Sequence, residues 1–359
     1  MRNRTTLIAL VVVGMALAAC GGDAGSTTTE AAVTTTAAAT TAAPTTTAAG
    51  DTTTTGAEEP TTTTEAPVEM MDLSIGLFPS LDYAAFYVGL GDGIFEEHGL
   101  NVDVEHIFTG TGLFSSITSG QKHLATNSLT SGTVGITNNL PIQAISVAAY
   151  QETEGNTEVL VLGDSDIQSF GDLAGRTVAT INLQGLFHLG VMNAVTAEGG
   201  DPSTIEALPM SPADEPTALA AGRVDAIVLQ DPFLTQAKTE FPEFRTLGNP
   251  FATFDFQLPV GVFWSSKETA DANPELMRRF REALAESTEV ANANPERLLE
   301  VIPEYTDLTP EQLGQITLPA YSTDLEEDAL LSMQQIMLGY GWLTYIPSYN
   351  QIVWSDPEA

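Results

Sequence analysis

The chain has 359 residues, of which 47 are Asp or Glu and 12 are Lys or Arg, so its formal net charge is −35. Such an acidic protein repels nucleic acid and anionic lipid head groups, which excludes both as expected partners. Its single cysteine allows no disulfide within the chain. A chain of this length is too long for one small core and is typical of two lobes.

The N-terminus has the pattern of a lipoprotein signal peptide. Arg2 and Arg4 provide a basic start, and residues 7–19 form an almost uninterrupted apolar run. This run is shorter than the about 20 residues that a membrane-spanning helix needs. It ends at Cys20 in the sequence LAAC, which resembles the bacterial lipobox. The resemblance implies that residues 1–19 are cleaved and that Cys20 is diacylated, holding the protein on the outer face of the cytoplasmic membrane. The alternative is an ordinary buried cysteine near a cleaved signal.

The segment that follows is rich in threonine. Between residues 27 and 67 there are 19 threonines and three prolines, but no aromatic residue, leucine or isoleucine. This composition cannot form a packed core, so residues 20–67 are predicted to be the lipidated cysteine and a disordered spacer. A flexible coil of about 50 residues spans roughly 40 Å. Thr/Pro-rich tracts often carry O-linked sugars, and whether this one does stays open.

From residue 73 onwards, strand and helix patterns alternate as in an α/β protein. The predicted strands cover residues 73–77, 102–107, 124–127, 144–149, 159–162, a segment ending at 179, 205–208, 226–229 and 258–264. The predicted helices cover residues 83–95, 110–120, 186–198 and 212–221, and others begin near Pro232, Pro274, Pro295 and Pro310. Proline is tolerated at these starts because the first helical turn leaves its N–H groups unpaired in any case. The strands up to residue 162 are expected to form the sheet of the first lobe.

Three stretches carry a family resemblance. They are VGLGDGIFEEHGLNV at 88–102, DLAGRTV at 172–178, and AAGRVDA at 220–226 followed by DPF at 231–233. In order and spacing they resemble the NMT1/SsuA-like substrate-binding proteins of ABC importers, the group for nitrate, sulfonate, taurine and thiamine precursors. The resemblance covers nearly all of residues 73–353. Lys122-His123 departs from the pattern, because relatives usually have an acidic residue there, and this leaves the ligand open.

The resemblance implies an α/β protein with a two-lobed, periplasmic-binding-protein-like type II fold and a central ligand cleft. Residues 68–162 would be the first part of lobe 1, 163–260 lobe 2, and 261–359 the return to lobe 1 with the C-terminal helices. The implied function is the extracytoplasmic, lipid-anchored component of an ABC importer, which captures a small organic solute. Its implied partners are a membrane permease and its ATPase. A monomer without cofactor or metal is expected.

Ligand groups are expected in the loops at the carboxyl ends of the strands, where helix N-termini offer unpaired N–H groups. Four turns qualify, at residues 79–83, 109–112, 127–131 and 182–185 with the helix that follows. On these turns, and at the 231–232 turn, the candidate ligand-binding residues are Ser80, Asp82, Tyr83, Thr111, Ser128, Thr130, Asn182, Gln184, His188 and Asp231.

Seven of the ten candidates also have a purely structural alternative. Ser80, Asp82, Thr111, Ser128 and Asp231 are of residue types that commonly cap helices. Tyr83 suits the core and His188 suits a structural hydrogen bond. The resemblance nevertheless implies that Asp231 faces the cleft, so both readings stay open at this point.

The charge of the ligand is judged from the side chains on these turns. None of the four turns carries a lysine or arginine, whereas Asp82 and Asp231 supply carboxylates. A neutral or weakly basic heterocycle can stack on Tyr83 or Phe187 and hydrogen-bond to a carboxylate, whereas an oxyanion would depend on backbone N–H groups. A pyrimidine-type ligand is therefore preferred, with sulfonate and nitrate left open.

Two other functions compete with the importer component. One is a thiamine-pyrimidine synthase, which the family resemblance brings in and which needs a lysine-bound pyridoxal cofactor, a histidine and a cysteine-rich motif. Here Cys20 stands alone in the lipobox, and the histidines show no catalytic or metal-binding spacing. The other is a receptor that presents its ligand to a sensor. The enzyme is not expected; the receptor remains the alternative.

Overall fold

The computed structural model of the protein describes residues 69–151 and 155–357. The predicted signal peptide, Cys20 and the threonine-rich spacer lie outside the described residues. Within the described ranges, no helix combines the length and the apolar character needed to cross a membrane.

Strands and helices alternate along most of the described chain. The strands are β1 Met71–Leu77, β2 Leu100–His106, β3 Leu124–Ser128, β4 Ile142–Gln151, β5 Thr157–Leu162, β6 Thr177–Thr180, β7 Glu206–Pro209, β8 Ala226–Gln230, β9 Phe244–Gly248, β10 Leu258–Ser266 and β11 Ala320–Tyr321. The helices are α1 Ala84–Gly91, α2 Ile94–Glu97, α3 Gly110–Thr118, α4 Leu129–Thr137, α5 Leu186–Ala197, α6 Glu215–Ala220, α7 Phe233–Glu240, α8 Lys267–Ala272, α9 Pro274–Ala293, α10 Pro295–Val301, α11 Pro310–Leu313, α12 Glu327–Gly339 and α13 Tyr349–Ile352.

These strands form two separate sheets. The first sheet has the order β11-β4-β10-β3-β1-β2, and the second has the order β7-β6-β8-β5-β9. In the first sheet β1 is parallel to β2 and β3, while β10 runs antiparallel between β3 and β4. In the second, β6 is parallel to β7 and β8, while β5 is antiparallel to β8 and β9. We call the part built on the first sheet the first lobe (residues 69–151 and 258–357) and the part built on the second sheet the second lobe (residues 157–248).

The chain passes from the first sheet to the second between Gln151 and Thr157 and returns between Gly248 and Leu258. The prediction that residues 159–162 belong to the first lobe is therefore wrong, because β5 is hydrogen-bonded to β8 and β9 of the second sheet. A short apolar strand looks the same in either sheet, since its sequence does not record its partners.

Other features also differ from the sequence-based expectation. The helix predicted over residues 83–95 is divided into a short 3-10 helix at Leu81–Tyr83, then α1, then α2. The break comes at Gly93, whose φ of 78° lies in the left-handed region and ends a right-handed helix. The strand β9 was not predicted, because its half-buried sequence has no clear alternation.

The central strands of the first sheet hold the core together. Every residue of β4 and β10 is buried, which is typical of strands covered on both faces. Trp264 on β10 is fully buried and lies against Gly132 of α4, where an added Cβ would come within 2.0 Å of the indole ring. This close packing positions α4, whose N-terminus borders the site described next.

Candidate ligand-binding site

A cavity of about 70 Å³ lies between the two lobes, at the ends of strands from both sheets. Both lobes contribute to its wall. The residues that line it are Phe78, Ser80, Asp82, Tyr83, Gly110, Leu113, Asn127, Ser128, Ile181, Asn182, Leu186, Phe187, Gln230 and Val260.

The turn after β1 supplies the acidic group of the cavity. Ser80 caps the 3-10 helix Leu81–Tyr83, because its Oγ accepts a hydrogen bond from the Asp82 N–H over 3.2 Å. This turn directs the Asp82 side chain into the protein, where the residue is only 6% exposed. Burial raises the pKa of Asp82 from its ordinary value of 3.8 to about 6, against the lowering effect of hydrogen bonds from Ser80 and Gln230.

Tyr83 belongs to both the cavity wall and the core. Its ring meets that of Phe263 edge to face, with centroids 5.3 Å apart. Burial raises the pKa of its hydroxyl well above the ordinary value, and the charge of Asp82 adds to this. Gly261 makes room for the turn, because a Cβ there would lie 3.0 Å from the Asp82 Cβ and 3.2 Å from the Tyr83 ring.

Two sets of hydrogen bonds join the lobes at the cavity. The Gln230 Nε2 donates to Asp82 Oδ1 over 2.9 Å, and the Ser80 hydroxyl donates to Gln230 Oε1 over 3.3 Å. The Asn182 Nδ2 donates to Ser131 Oγ over 3.2 Å. Gln230 ends β8 and Asn182 follows β6, both of the second sheet, whereas their partners belong to the first lobe. The described conformation is therefore one in which the lobes touch across the cavity.

The N-terminus of α4 forms another polar part of the wall. Ser128 caps this helix by accepting a hydrogen bond from the Ser131 N–H over 3.2 Å. Asn127 is held beside it, since its Nδ2 donates to the Gly110 carbonyl over 3.2 Å and its Oδ1 accepts from the Ser128 N–H. These groups are held in place by hydrogen bonds within the first lobe.

The rest of the wall is apolar, formed by Phe78, Leu113, Ile181, Leu186, Phe187 and Val260. The ring of Phe78 lies 6.1 Å from that of Phe233 in the second lobe, and the ring of Phe187 lies 6.0 Å from that of Phe251. Flat aromatic side chains thus come from both lobes. Aromatic side chains of this kind can stack on planar ligands.

The lining residues include no lysine, arginine or histidine. The three lysines of the sequence all form ion pairs elsewhere, Lys122 with Asp103, Lys238 with Glu158 and Lys267 with Asp271. Asp82 is thus the charged side chain of the cavity wall, and it is buried. A wall of this kind favours ligands that donate hydrogen bonds or carry positive charge over ligands that are anions.

Five of the ten candidate residues line this cavity, namely Ser80, Asp82, Tyr83, Ser128 and Asn182. The other five do not. Thr111 is exposed, and Thr109 rather than Thr111 caps α3. Thr130 is fully buried, with its hydroxyl 2.9 Å from that of Ser128.

Gln184 and His188 are engaged with each other beside the cavity. The Gln184 backbone lies in the left-handed region at φ 55°, and its N–H donates to His188 Nδ1 over 3.2 Å. The imidazole centroid is 5.0 Å from the ring of Trp342. Burial lowers the pKa of His188 to about 4, so this histidine is neutral at physiological pH. The geometry favours the structural reading of His188.

Asp231 caps a helix, which is the structural alternative given for it above. Its Oδ1 accepts hydrogen bonds from the Thr235 N–H over 3.0 Å and from the Thr235 hydroxyl over 2.7 Å, at the first turn of α7. Burial raises the pKa of Asp231 to about 6, against the lowering effect of the Thr235 bonds. Asp231 is not among the residues that line the cavity.

Gln230, Asn127 and Phe78 line the cavity but are not among the ten candidate residues, although Asn127 lies on the predicted 127–131 turn. Gln230 is the last residue of β8 and Phe78 directly follows β1. Both positions satisfy the rule that ligand groups gather at the carboxyl ends of strands. The polar residue that ends the apolar run 226–229 was therefore a usable signal for Gln230. Nothing local distinguishes Phe78 from a core phenylalanine.

Comparison with known proteins gives a family and a relative. The sequence model of the family described as NMT1/THI5 like matches residues 80–298. A formylaminopyrimidine-binding protein from Halalkalibacterium halodurans is 24% identical over 241 residues, which cover 66% of this chain and 70% of the relative.

Solved structures share the fold at low sequence identity. The alkanesulfonate-binding protein SsuA from Xanthomonas axonopodis pv. citri, bound to MOPS, matches with a TM-score of 0.66 and 18% identity over 80% of this chain and 99% of that chain. The ligand-binding component of an ABC-type import system from Staphylococcus aureus, with zinc bound, matches with a TM-score of 0.68 and 13% identity over 79% and 97%. The predicted two-lobed binding-protein fold is thus confirmed.

Proposed function

We propose, given that this chain belongs to the NMT1/THI5-like family, that it is the extracytoplasmic substrate-binding component of an ABC importer. Its role is to capture a small organic solute between the lobes and deliver it to a membrane permease and its ATPase. The observation that carries this proposal is the cavity between the lobes, which is lined both by aromatic side chains and by the buried Asp82.

We infer that the ligand is a pyrimidine-type heterocycle with an N–H donor. The aromatic side chains Phe78 and Phe187 offer stacking surfaces, and Asp82 offers an acceptor for an amino group or a protonated ring nitrogen. The relative named as a formylaminopyrimidine-binding protein supports this ligand class. Five described candidates, Ser80, Asp82, Tyr83, Ser128 and Asn182, are proposed as its binding residues.

A sulfonate or nitrate is the less favourable ligand. An anion in this cavity would approach the Asp82 carboxylate without a lysine or arginine among the lining residues to offset the repulsion. It would depend on backbone N–H groups and on the amides of Asn127 and Asn182. The alkanesulfonate-binding neighbour shares the fold, and at 18% identity it carries no argument about this ligand.

The membrane attachment belongs to the same proposal. Cys20 would be the diacylated first residue, residues 1–19 the cleaved signal peptide, and the threonine-rich segment the spacer to the outer face of the cytoplasmic membrane. The protein would act as a monomer. Presentation of the ligand to a sensor uses the same cavity and differs only in the membrane partner.

A synthase of the thiamine-pyrimidine type is disfavoured by the positions of the lysines. That chemistry needs a lysine at the cofactor. Lys122, Lys238 and Lys267 are all bound to carboxylates, and none of them lines the cavity.

The proposal is tested by identifying what the protein carries. The purified full chain is denatured, and released small molecules are identified by mass spectrometry. Calorimetric titration then compares an aminopyrimidine with an alkanesulfonate and with nitrate. We expect release and binding of an N–H-bearing heterocycle. Saturable binding of the sulfonate or nitrate, without binding of the aminopyrimidine, would show that the proposed ligand class is wrong.

A further inference from the structure

The three polar residues Ser80, Asp82 and Gln230 form a closed ring of hydrogen bonds at the cavity. The Asp82 N–H donates to Ser80 Oγ over 3.2 Å, the Ser80 hydroxyl donates to Gln230 Oε1 over 3.3 Å, and the Gln230 Nε2 donates to Asp82 Oδ1 over 2.9 Å. All three residues are at most 8% exposed, and all three line the cavity. We call this set the Ser80–Asp82–Gln230 ring.

The direction of each bond in the ring is set by the chemistry of its members. An ionised carboxylate only accepts, so the side of the Gln230 amide that faces Asp82 must be its NH₂ group. The amide oxygen then faces Ser80, whose single hydroxyl proton is donated to it. Glutamine thus pairs with the Ser80 donor and the Asp82 acceptor at the same time, whereas glutamate would place a second carboxylate against Asp82.

The ring also spans the two lobes. Ser80 and Asp82 follow β1 of the first sheet, whereas Gln230 ends β8 of the second sheet and pairs there with Thr157 of β5. Because Gln230 is held at a strand end, its amide is a rigidly mounted group rather than a loop side chain. The ring therefore closes only when the lobes come together over the cavity.

The side chain that hydrogen-bonds to the Asp82 carboxylate, the Gln230 amide, is neutral. Gln230 orients the carboxylate but does not compensate its charge, and no lysine or arginine lines the cavity to do so. A carboxylate has capacity for several acceptor bonds, so it can receive a ligand donor beside the bond from Gln230. The remaining charge then favours an N–H donor or a cation and opposes an anion.

We propose that Gln230 is a specificity-determining residue, which fixes the Asp82 carboxylate as the acceptor for an N–H group of the ligand and joins the lobes around it. This inference rests on the proposed function, because it takes the cavity to be the ligand site. The inference adds that Gln230 is the residue through which the site prefers ligands with an N–H donor.

The first experiment measures selectivity with two probes of equal shape. 4-Amino-2-methylpyrimidine carries the N–H donor, and in 2,4-dimethylpyrimidine a methyl group replaces the amino group. A hydrogen bond to a charged group corresponds to roughly ten- to a hundred-fold in affinity, so we expect the wild-type full chain to prefer the amino probe by that factor. In Gln230→Met the preference should fall below about threefold, since the carboxylate is no longer oriented. The matched control is Gln335→Met at an exposed position of α12, which should keep the preference.

A purely structural role of Gln230 would give a different pattern. Both probes would then weaken by the same factor in Gln230→Met, and the preference for the amino probe would survive. That result would overturn the specificity role and leave the proposed function intact, because the wild-type protein would still bind the amino probe.

The second experiment tests the ring without any ligand. In a Cys20→Ala background, spin labels on Ser119→Cys in the first lobe and Ala221→Cys in the second lobe, both at exposed positions, report the distance between the lobes. Gln230→Glu should lengthen this distance at pH 8, where two carboxylates face each other, and restore it at pH 5 when one is protonated. Gln335→Glu should change neither value.

Other titratable groups coupled to these carboxylates are Tyr83, Tyr305 and Tyr321, whose pKa values are raised by burial and further by the charge of Asp82. Asp231 is a further one, and its pKa is raised by burial, lowered by Lys238 and raised by Glu158. These groups are the same in the wild type and in the variant, so their titration does not contribute to the difference in lobe distance between the two proteins. If the wild-type protein binds neither pyrimidine, the proposed ligand class fails and the donor selectivity with it. A lobe distance unaffected by Gln230→Glu would overturn the ring as a link between the lobes.

Discussion

The Asn182 amide donates a hydrogen bond to the Ser131 hydroxyl over 3.2 Å and so joins the second lobe to helix α4 of the first lobe. Two glycines allow this contact. A Cβ at Gly185 would lie 1.7 Å from Asn182 Oδ1, and a Cβ at Gly110 would lie 2.9 Å from its Nδ2. The amide is therefore enclosed by backbone on both sides, and its position at the cavity is set by packing as well as by the hydrogen bond.

Removing this contact is expected to weaken ligand binding. A neutral hydrogen bond contributes about 0.5 to 1.5 kcal/mol, so Asn182→Ala and Ser131→Ala should each weaken the affinity for an aminopyrimidine roughly two- to tenfold. The double variant should lose less than the product of the two factors, because both changes remove the same contact. Calorimetric titration measures all three, with Asn138→Ala at the exposed end of α4 as the control. Multiplicative losses would show that the two residues act independently.

Asp82 and Asp231 form a matched pair for separating stability from binding. Burial raises the pKa of each from 3.8 to about 6, so the folded state binds the proton more tightly than the unfolded state does. Ionisation therefore destabilises the fold progressively as pH rises from about 4 through 6. Asp82→Asn and Asp231→Asn should each raise the free energy of unfolding at pH 8 by up to about 3 kcal/mol, and by little at pH 4. Urea denaturation at both pH values checks this.

Ligand affinity should distinguish the same two variants. Asp82→Asn removes the proposed acceptor charge and should weaken aminopyrimidine binding about ten- to a hundredfold at pH 8. Asp231→Asn keeps an acceptor for the Thr235 N–H at α7 and lies outside the cavity lining, so its affinity should equal that of the wild type. A tenfold loss of aminopyrimidine affinity in Asp231→Asn would show that Asp231 takes part in ligand binding.

Gly132 is expected to tolerate no side chain. An alanine Cβ there would meet the indole ring of the fully buried Trp264 at 2.0 Å, and overpacking of a core typically costs about 1 to 3 kcal/mol. Gly339, near the end of α12, is the control, because a Cβ there meets nothing within 4 Å. Gly339→Ala should be neutral or stabilise by up to about 1 kcal/mol. Equal midpoints of urea denaturation for the two variants would contradict this packing argument.

The proposed anchor is tested at Cys20. If Cys20 carries the lipid, Cys20→Ala should abolish partition of the protein into detergent and leave the signal-bearing or secreted chain in the aqueous phase. Phase separation of cell extracts followed by immunoblotting measures this. Ser26→Ala, six residues further on, is the control and should partition as the wild type does. Membrane association unchanged in Cys20→Ala would contradict the lipoprotein hypothesis.

The threonine-rich spacer is expected to have no part in ligand binding. Its composition cannot offset the entropy of ordering, so a chain that starts at Val68 should match the full chain in melting temperature and in aminopyrimidine affinity. Calorimetry provides both values. A large loss of either on removing residues 21–67 would show that the spacer contributes to the folded part.

Local sequence determined most of the secondary structure of this protein. Pro274, Pro295 and Pro310 each begin a helix as predicted, because proline at the first turn loses no hydrogen bond. The helix predicted at 186–198 is α5, and the buried strand predicted at 226–229 is β8. The family and its fold also followed from the order of short motifs. Five of the ten candidate residues line the cavity, because strand ends and helix starts are visible in the sequence; their role in ligand binding stays a prediction.

Tertiary structure alone decided which partner each polar residue has. The sequence offered Asp82 and Asp231 as equivalent carboxylates, each beside a turn. The fold gives Asp231 the two donors of Thr235 four residues away, whereas it gives Asp82 the amide of Gln230 from a position 148 residues away. The sheet to which β5 belongs was hidden for the same reason. Pairings of this range depend on how two lobes meet, and local periodicity contains no record of that distance.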